Sequence, residues 1–253
     1  MAKVIAPFKI QGSIEDLNFV VNADGTNYVR IKSKTGVTKE EFKNNPIFDR
    51  IRNQGKEMGY CVKKARTFRL LAKQFFDKAK EVSSAGRLNQ LLLEILSEDT
   101  INPKGERTLE EGLKSMYLDE ILLGFEANKL RPLQKVLLKK GNHTPEEGTL
   151  SWNNFSPESH IQWPLEEATH VKLQIANTHW DVTNDTFETY YSNQITLEKN
   201  TTKKNLLLTC EIPKENKLRI TFLFIGFVTK QRSTYKDLHR KHNTTTLIAY
   251  QKT

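Results

Sequence analysis

The apolar positions of this chain change their period twice. Over the first 35 residues they read as strands: "KVIAPFKI", then "LNFVV" and "NYVRIKSK" on either side of "NADGT". The Asp24-Gly25 pair in that last stretch is a strong hairpin-turn signal. Helical signals follow. Thr38 with Glu41 three residues later makes a capping box, and Asn45-Pro46 offers a cap and a proline at the first helical position. From about Gly59 to Lys80, Cys61, Ala65, Phe68, Ala72, Phe75 and Ala79 recur at steps of four and three. That spacing predicts a helix with one packed face. Gly55 and Gly59 lie at its start and cost helix propensity if the helix runs that far back.

"SSAG" at 83–86 interrupts the period, and Leu88, Leu91, Leu92, Ile95 and Leu96 then make a second apolar face. The two segments together read as an antiparallel helical hairpin. Residues 99–147 are less regular, with a second capping box at Thr108 and Glu111 and a loop at "KKGNHTPEEGT". Beyond 148 the period falls to two. "HVKLQIA", "NQITLE", "NLLLTCEI", "KLRITFLFIGFV" and "TTTLIAY" follow one another between polar clusters. Short strands at this spacing point to an antiparallel sandwich, with "ITFLFIGFV", apolar on both faces, at its centre. The expected fold is therefore α+β: an N-terminal β-hairpin and helical hairpin, followed by a C-terminal antiparallel β-sandwich. The expected domains are a basic region over 1–147 and an all-β region over 148–253.

Charge sharpens this picture. The chain of 253 residues carries a formal net charge of +9, and it is unevenly placed. Residues 28–80 hold 15 Lys/Arg against 5 Asp/Glu, and residues 229–253 hold 6 against 1. The helical period divides the first of these regions into two faces. Lys63, Arg66 and Lys73 fall on one side, off the Cys61/Phe68/Phe75 seam, with Arg69 beside them and Lys56 joining if the helix extends. At about 1.5 Å per residue the row is roughly 30 Å long. In "YVRIKSK", Arg30, Lys32 and Lys34 stand two apart, on one side of a strand. Two such rows suit phosphate contacts and salt-sensitive binding of a polyanion. They equally suit a solvated helix face and a charged strand edge that resists pairing.

Other chemistry is thin. The histidines are scattered except in "HRKH" at 239–242, where two cations sit between them, a poor metal site. There is no G-x-S-x-G and no Gly-rich phosphate loop, so no cofactor is implied. Cys61 lies on the packed seam, where burial disfavours a thiolate. With Cys210 it reads as a small buried hydrophobe rather than a disulfide partner. Trp152, Trp163 and Trp180 fall in or near the strand region and suit packing between sheets more than sugar binding. No run approaches the roughly 18 apolar residues of a membrane span. The N-terminus has no sustained apolar core of a signal peptide, so the expected location is the cytoplasm.

One resemblance joins these parts. Gly12-Ser13, Asn18-Phe19, Arg30, Gly36-Val37, Asn45-Pro46, Phe48, Arg50, Arg52, Gly59, Cys61 and Arg66, with "LLGFEANKLRPL" and "LFIGF" further on, resemble the pattern of a group of Bacteroidota proteins without an established activity. The resemblance implies that strand hairpin, basic helix and C-terminal strands belong together, and it implies no reaction. The expectation is a non-catalytic protein that holds an acidic polymer, foremost nucleic acid, on its basic N-terminal surface. Its phosphate contacts would come from Arg30, Lys32, Lys34, Lys56, Lys63, Arg66, Arg69 and Lys73. The alternative is a self-assembling structural subunit, a homo-oligomer whose basic face meets the net-acidic surface of residues 81–228.

Overall fold

The computed structural model describes residues 2–5, 8–22, 24–32, 36–213, 218–232 and 234–252. The chain divides into two compact units, Met1–Asp49 and Arg50–Thr253.

The first unit is a four-stranded antiparallel sheet followed by a short helix. Its strands are β1 (Ala2–Lys3), β2 (Gly12–Ile14), β3 (Leu17–Val21) and β4 (Asn27–Ile31), in the order β1-β4-β3-β2. The β3–β4 hairpin forms where the turn signal placed it, with Val21 opposite Asn27. Gly25 takes a positive φ of 83°, and the Asp24 carboxylate accepts from the Thr26 amide at 2.8 Å. Helix α1 (Lys39–Asn44) starts at the capping box, where the Thr38 hydroxyl accepts from the Glu41 amide at 3.0 Å. Asn45 caps a 3-10 turn over Pro46–Phe48.

The second unit opens with α2 (Asp49–Leu71), α3 (Lys73–Lys78) and α4 (Ser84–Ser97). The short helices α5 (Leu109–Gly112), α6 (Leu118–Leu122) and α7 (Leu133–Val136) follow. Then come β5 (Asn142–Thr144), β6 (Thr149–Phe155), α8 (Pro157–His160), β7 (His170–Asp181), β8 (Thr186–Tyr191) and β9 (Ile195–Glu198). The chain closes with β10 (Lys204–Thr209), β11 (Leu218–Gln231), β12 (Thr234–Asp237) and β13 (Thr244–Lys252).

The centre is the long antiparallel pair β7–β11, in register from Trp180 opposite Leu218 to His170 opposite Val228. Strands β13 and β12 share the outer edge of β11, and β8 and β9 share the outer edge of β7, which makes a six-stranded sheet. A separate three-stranded sheet has the order β10-β6-β5.

Strand parity assigns the two faces of the large sheet. On β11, Leu218, Ile220, Phe222 and Phe224 join the helices' cluster, with Cys61, Phe68, Phe75, Leu92 and Ile95. Leu223, Ile225 and Phe227 point the other way and cluster with Leu150, Trp152, Phe155, Leu206 and Leu208 of the small sheet. "ITFLFIGFV" is central because both its faces are covered, as its unbroken apolar run requires.

The mixed α+β class and the antiparallel sheets therefore match the sequence. The placing of the helices differs. Alternation and helical period are each local, so neither shows that the seam of α2 packs on the even-numbered face of β11. The helices share a core with the sheet, and β5 pairs with β6 across the expected boundary at 147/148. Helix α4 also contacts α5 and α6. Among the described residues no helix is long and apolar enough to cross a membrane.

Candidate polyanion-binding surface

Helix α2 runs 23 residues, about 35 Å at 1.5 Å per residue, and contains both Gly55 and Gly59. Its inner face is the seam: Cys61, Ala65, Phe68 and Leu71 are fully buried. Phe68 makes edge-on ring contacts with Phe76, Phe125, Trp180 and Phe222 at 5.7–6.2 Å, a geometry favoured by the ring quadrupole. Burial pushes the Cys61 thiol up to about 12, which leaves it no thiolate at neutral pH.

The helix does not continue to Lys80. At Ala72 the backbone leaves helical geometry (φ −130°, ψ 51°), and α3 begins at Lys73. The Leu71 carbonyl, instead of receiving the next helical amide, accepts from the Thr189 hydroxyl at 2.6 Å. The apolar period survives the break, since Phe75, Phe76 and Ala79 are buried too. A straight cationic row through Lys73 does not survive it. Lys73 is exposed, but it belongs to a new helix.

On the outer face of α2, residues seven apart form columns. Lys56, Lys63 and Leu70 make one; Gly59 and Arg66 lie in the next; Gly55, Val62 and Arg69 make a third. Lys56, Lys63 and Arg66 are exposed, and Arg69 is half-buried. Among the described residues none of these four, nor Lys73, makes an ion pair. A Cβ placed on Gly55 or Gly59 would meet no atom within 4 Å. Two glycines thus open a bare strip of backbone between the cations. Val62 and Leu70 are 43% and 38% exposed, so the face is cationic with apolar islands.

The charges that point inward are all engaged. Glu57, the only acid from Arg50 to Leu71, receives both Arg107 (2.7 and 2.8 Å) and the Gly105 amide (2.7 Å). The Arg107 hydrogen bonds, opposed by burial, hold its carboxyl below the usual range. Lys64 is buried, donating to the Val182 carbonyl at 2.6 Å and lying 3.5 Å from Asp185. Lys80, beyond the break, pairs with Asp77 at 3.4 Å.

The remaining site residues expected from sequence lie in the first unit. Arg30 on β4 is exposed. Lys32, just after that strand, donates to the Glu15 carbonyl at 2.8 Å. Lys34 lies outside the described residues. The strand row and the helix row therefore belong to different units, and the helix row is taken by itself as the candidate surface.

In "HRKH", the His239 Nδ1 accepts from the Lys241 amide at 3.3 Å and caps the 3-10 turn Arg240–His242, a structural use of that motif. Cys61 and Cys210 are free and buried in different clusters, on opposite faces of the large sheet. Trp152 and Trp180 are core residues as well. No family model, no curated protein and no solved structure matches this chain.

Proposed function

We propose that the outer face of α2 holds an acidic polymer, foremost nucleic acid, in a binding role without catalysis. The observation that supports this most is the contrast in pairing. Glu57 and Lys64, the inward charges of the helix, have partners inside the chain, whereas Lys56, Lys63, Arg66 and Arg69 make no ion pair among the described residues. Unpaired cations along one helix suit successive phosphates, and their counterions are released on binding. Gly55 and Gly59 suit close approach of a sugar-phosphate backbone. Lys73 extends the surface past the break, and Arg30 and Lys32 supply a second, separate row. The six- and three-stranded sheets, read as the two layers of a β-sandwich, are the frame on which α2 is held. Fluorescence anisotropy with labelled single- and double-stranded DNA and RNA tests this. Binding that weakens with salt and is abolished by R66E/K73E agrees with the proposal; wild-type protein that binds none of these at low salt refutes it.

The apolar islands favour one other reading, self-assembly through the same face. Val62 and Leu70 would be covered by a second copy, whose acidic residues would meet the cations. Light scattering over a range of concentrations separates the two: a monomer throughout leaves only the polymer reading.

A further inference from the structure

A second feature lies away from α2. Between α7, the β5–β6 sheet and the edge strand β13 is a cleft of about 840 Å³. This is within the range of small-molecule sites, which run from about 300 to 1,000 Å³. Its walls are mainly aliphatic: Leu133 and Leu137 from α7 and its end, Leu150 from β6, Leu223 from β11, and Leu247 and Ile248 from β13. Trp152 lies against the backbone at Gly141, where an added Cβ would sit 2.7 Å from the indole. The indole Nε1 is already engaged, donating to the Lys139 carbonyl at 3.1 Å, so the ring adds apolar surface rather than a free donor.

The polar groups in this cleft are few and unequal. Glu126 is satisfied, accepting from the Leu133 amide at 2.7 Å and the Thr246 hydroxyl at 2.5 Å, and so tying α7 to β13. His143 is not. Its Nε2 is buried and has no hydrogen-bond partner among the described residues. Such an atom is uncommon in folded proteins, because a buried polar group left unpaired loses its hydration without compensation. Burial also keeps the imidazole neutral by lowering its pKa, and burial raises Glu126 to about 7. The mainly aliphatic walls suit a ligand with an apolar body, and Gln134 and Lys140 complete the lining.

We propose that this cleft binds an uncharged small molecule with an apolar body and one hydrogen-bonding group, taken by the Nε2 of His143. The apolar body would lie along the leucine walls and the Trp152 ring. The single polar group, a hydroxyl or a carbonyl, would supply the partner that the histidine lacks. The direction of that bond follows the tautomer, since neutral imidazole has one donor and one acceptor nitrogen.

The test uses the full chain with Nile red, an uncharged apolar dye whose fluorescence rises out of water. One saturable site is expected. Leu138 also lines the cleft and is 61% exposed, so L138W should fill its mouth without disturbing the core, and dye affinity should fall about fivefold or more. The polar contact is read by displacing the dye with 1-naphthol and with naphthalene. In the wild type 1-naphthol should displace at about fivefold lower concentration, the scale of one neutral hydrogen bond. In H143F, with circular dichroism unchanged, that preference should vanish. The proposal is overturned by absence of saturable dye binding, by unchanged affinity in L138W, or by the same naphthol-to-naphthalene ratio in wild type and H143F. If H143F does not fold, L138W and the wild-type ratio still decide.

Discussion

The two faces of α2 treat charge in opposite ways. Toward the sheet, Phe68 is ringed by four aromatic groups and Cys61, Ala65 and Leu71 are sealed from water. The two ionic side chains that turn inward, Glu57 and Lys64, have partners brought from far along the chain, Arg107 and Asp185. Toward solvent, Lys56, Lys63, Arg66 and Arg69 make no ion pair among the described residues, and Gly55, Gly59, Val62 and Leu70 lie between them. Charge on the inner face belongs to the fold, because an unpaired ion there is intolerable. Charge on the outer face adds nothing to the fold and leaves the protein's surface strongly positive.

The largest effect that tests this contrast is on the inner face. F68A removes a ring buried among four others and should destabilise by about 3–5 kcal/mol, read by chemical denaturation. R66E, two residues away on the opposite face, should stay within about 0.5 kcal/mol of wild type. A comparable loss for both would erase the distinction between the faces.

Next is the inward ion pair. E57Q leaves Arg107 buried without its counter-charge and should cost about 3 kcal/mol near neutral pH. The Glu57 carboxyl is held below its usual range, first by the Arg107 hydrogen bonds. An acid with a depressed folded pKa contributes its stability above the unfolded pKa and loses it as pH falls through the folded value. The difference between wild type and E57Q should therefore be full above about pH 4.3, the ordinary glutamate value, and shrink in stronger acid.

Glu126 should behave in the opposite sense. Burial raises it from 4.5 to about 7, against the pull of Thr246, Leu133 and Arg87. Between those values the folded state binds the extra proton, so stability falls as pH rises from about 4.5 to 7, by something on the order of 3 kcal/mol at about 1.4 kcal/mol per unit. E126Q should flatten that decline, measured as thermal midpoint against pH.

The smallest effect concerns the bare strip. Glycine inside a helix costs up to about 1 kcal/mol relative to alanine, and nothing stands where a Cβ at residue 59 would go. G59A should stabilise the protein by that order. If the strip serves close approach of a polymer, the same substitution weakens binding while raising stability, an opposition that a purely structural helix would not show.

Much of this was legible in the sequence, for a definite reason. The seam from Cys61 to Ala79 and the leucine face of α4 are periodic patterns, and both are buried as read. The caps at Thr38 and Thr108 and the Asp24-Gly25 turn are local hydrogen-bonding chemistry, which the sequence states directly. The break at Ala72 was not legible: the apolar period runs straight through it, and the hydroxyl that takes up the Leu71 carbonyl there lies more than a hundred residues away, on Thr189. Lys64 carried a usable signal: it stands three after Cys61 and four before Phe68, on the flank of the seam, where a lysine turns inward. The cleft was hidden entirely. His143 sits on a three-residue strand that sequence reads as loop, and its surroundings come from α7, β6, β11 and β13, which only the fold brings together.

The outer face is tested most directly by the salt dependence of nucleic-acid binding. Plotted as log affinity against log salt, duplex binding through Lys56, Lys63, Arg66 and Lys73 should fall with a slope of about −3 to −4, near −0.9 per phosphate neutralised. R66E/K73E should bind none of the polymers while folding normally. A wild-type protein that binds no polyanion at low salt, or a double variant that binds as wild type does, would contradict the account.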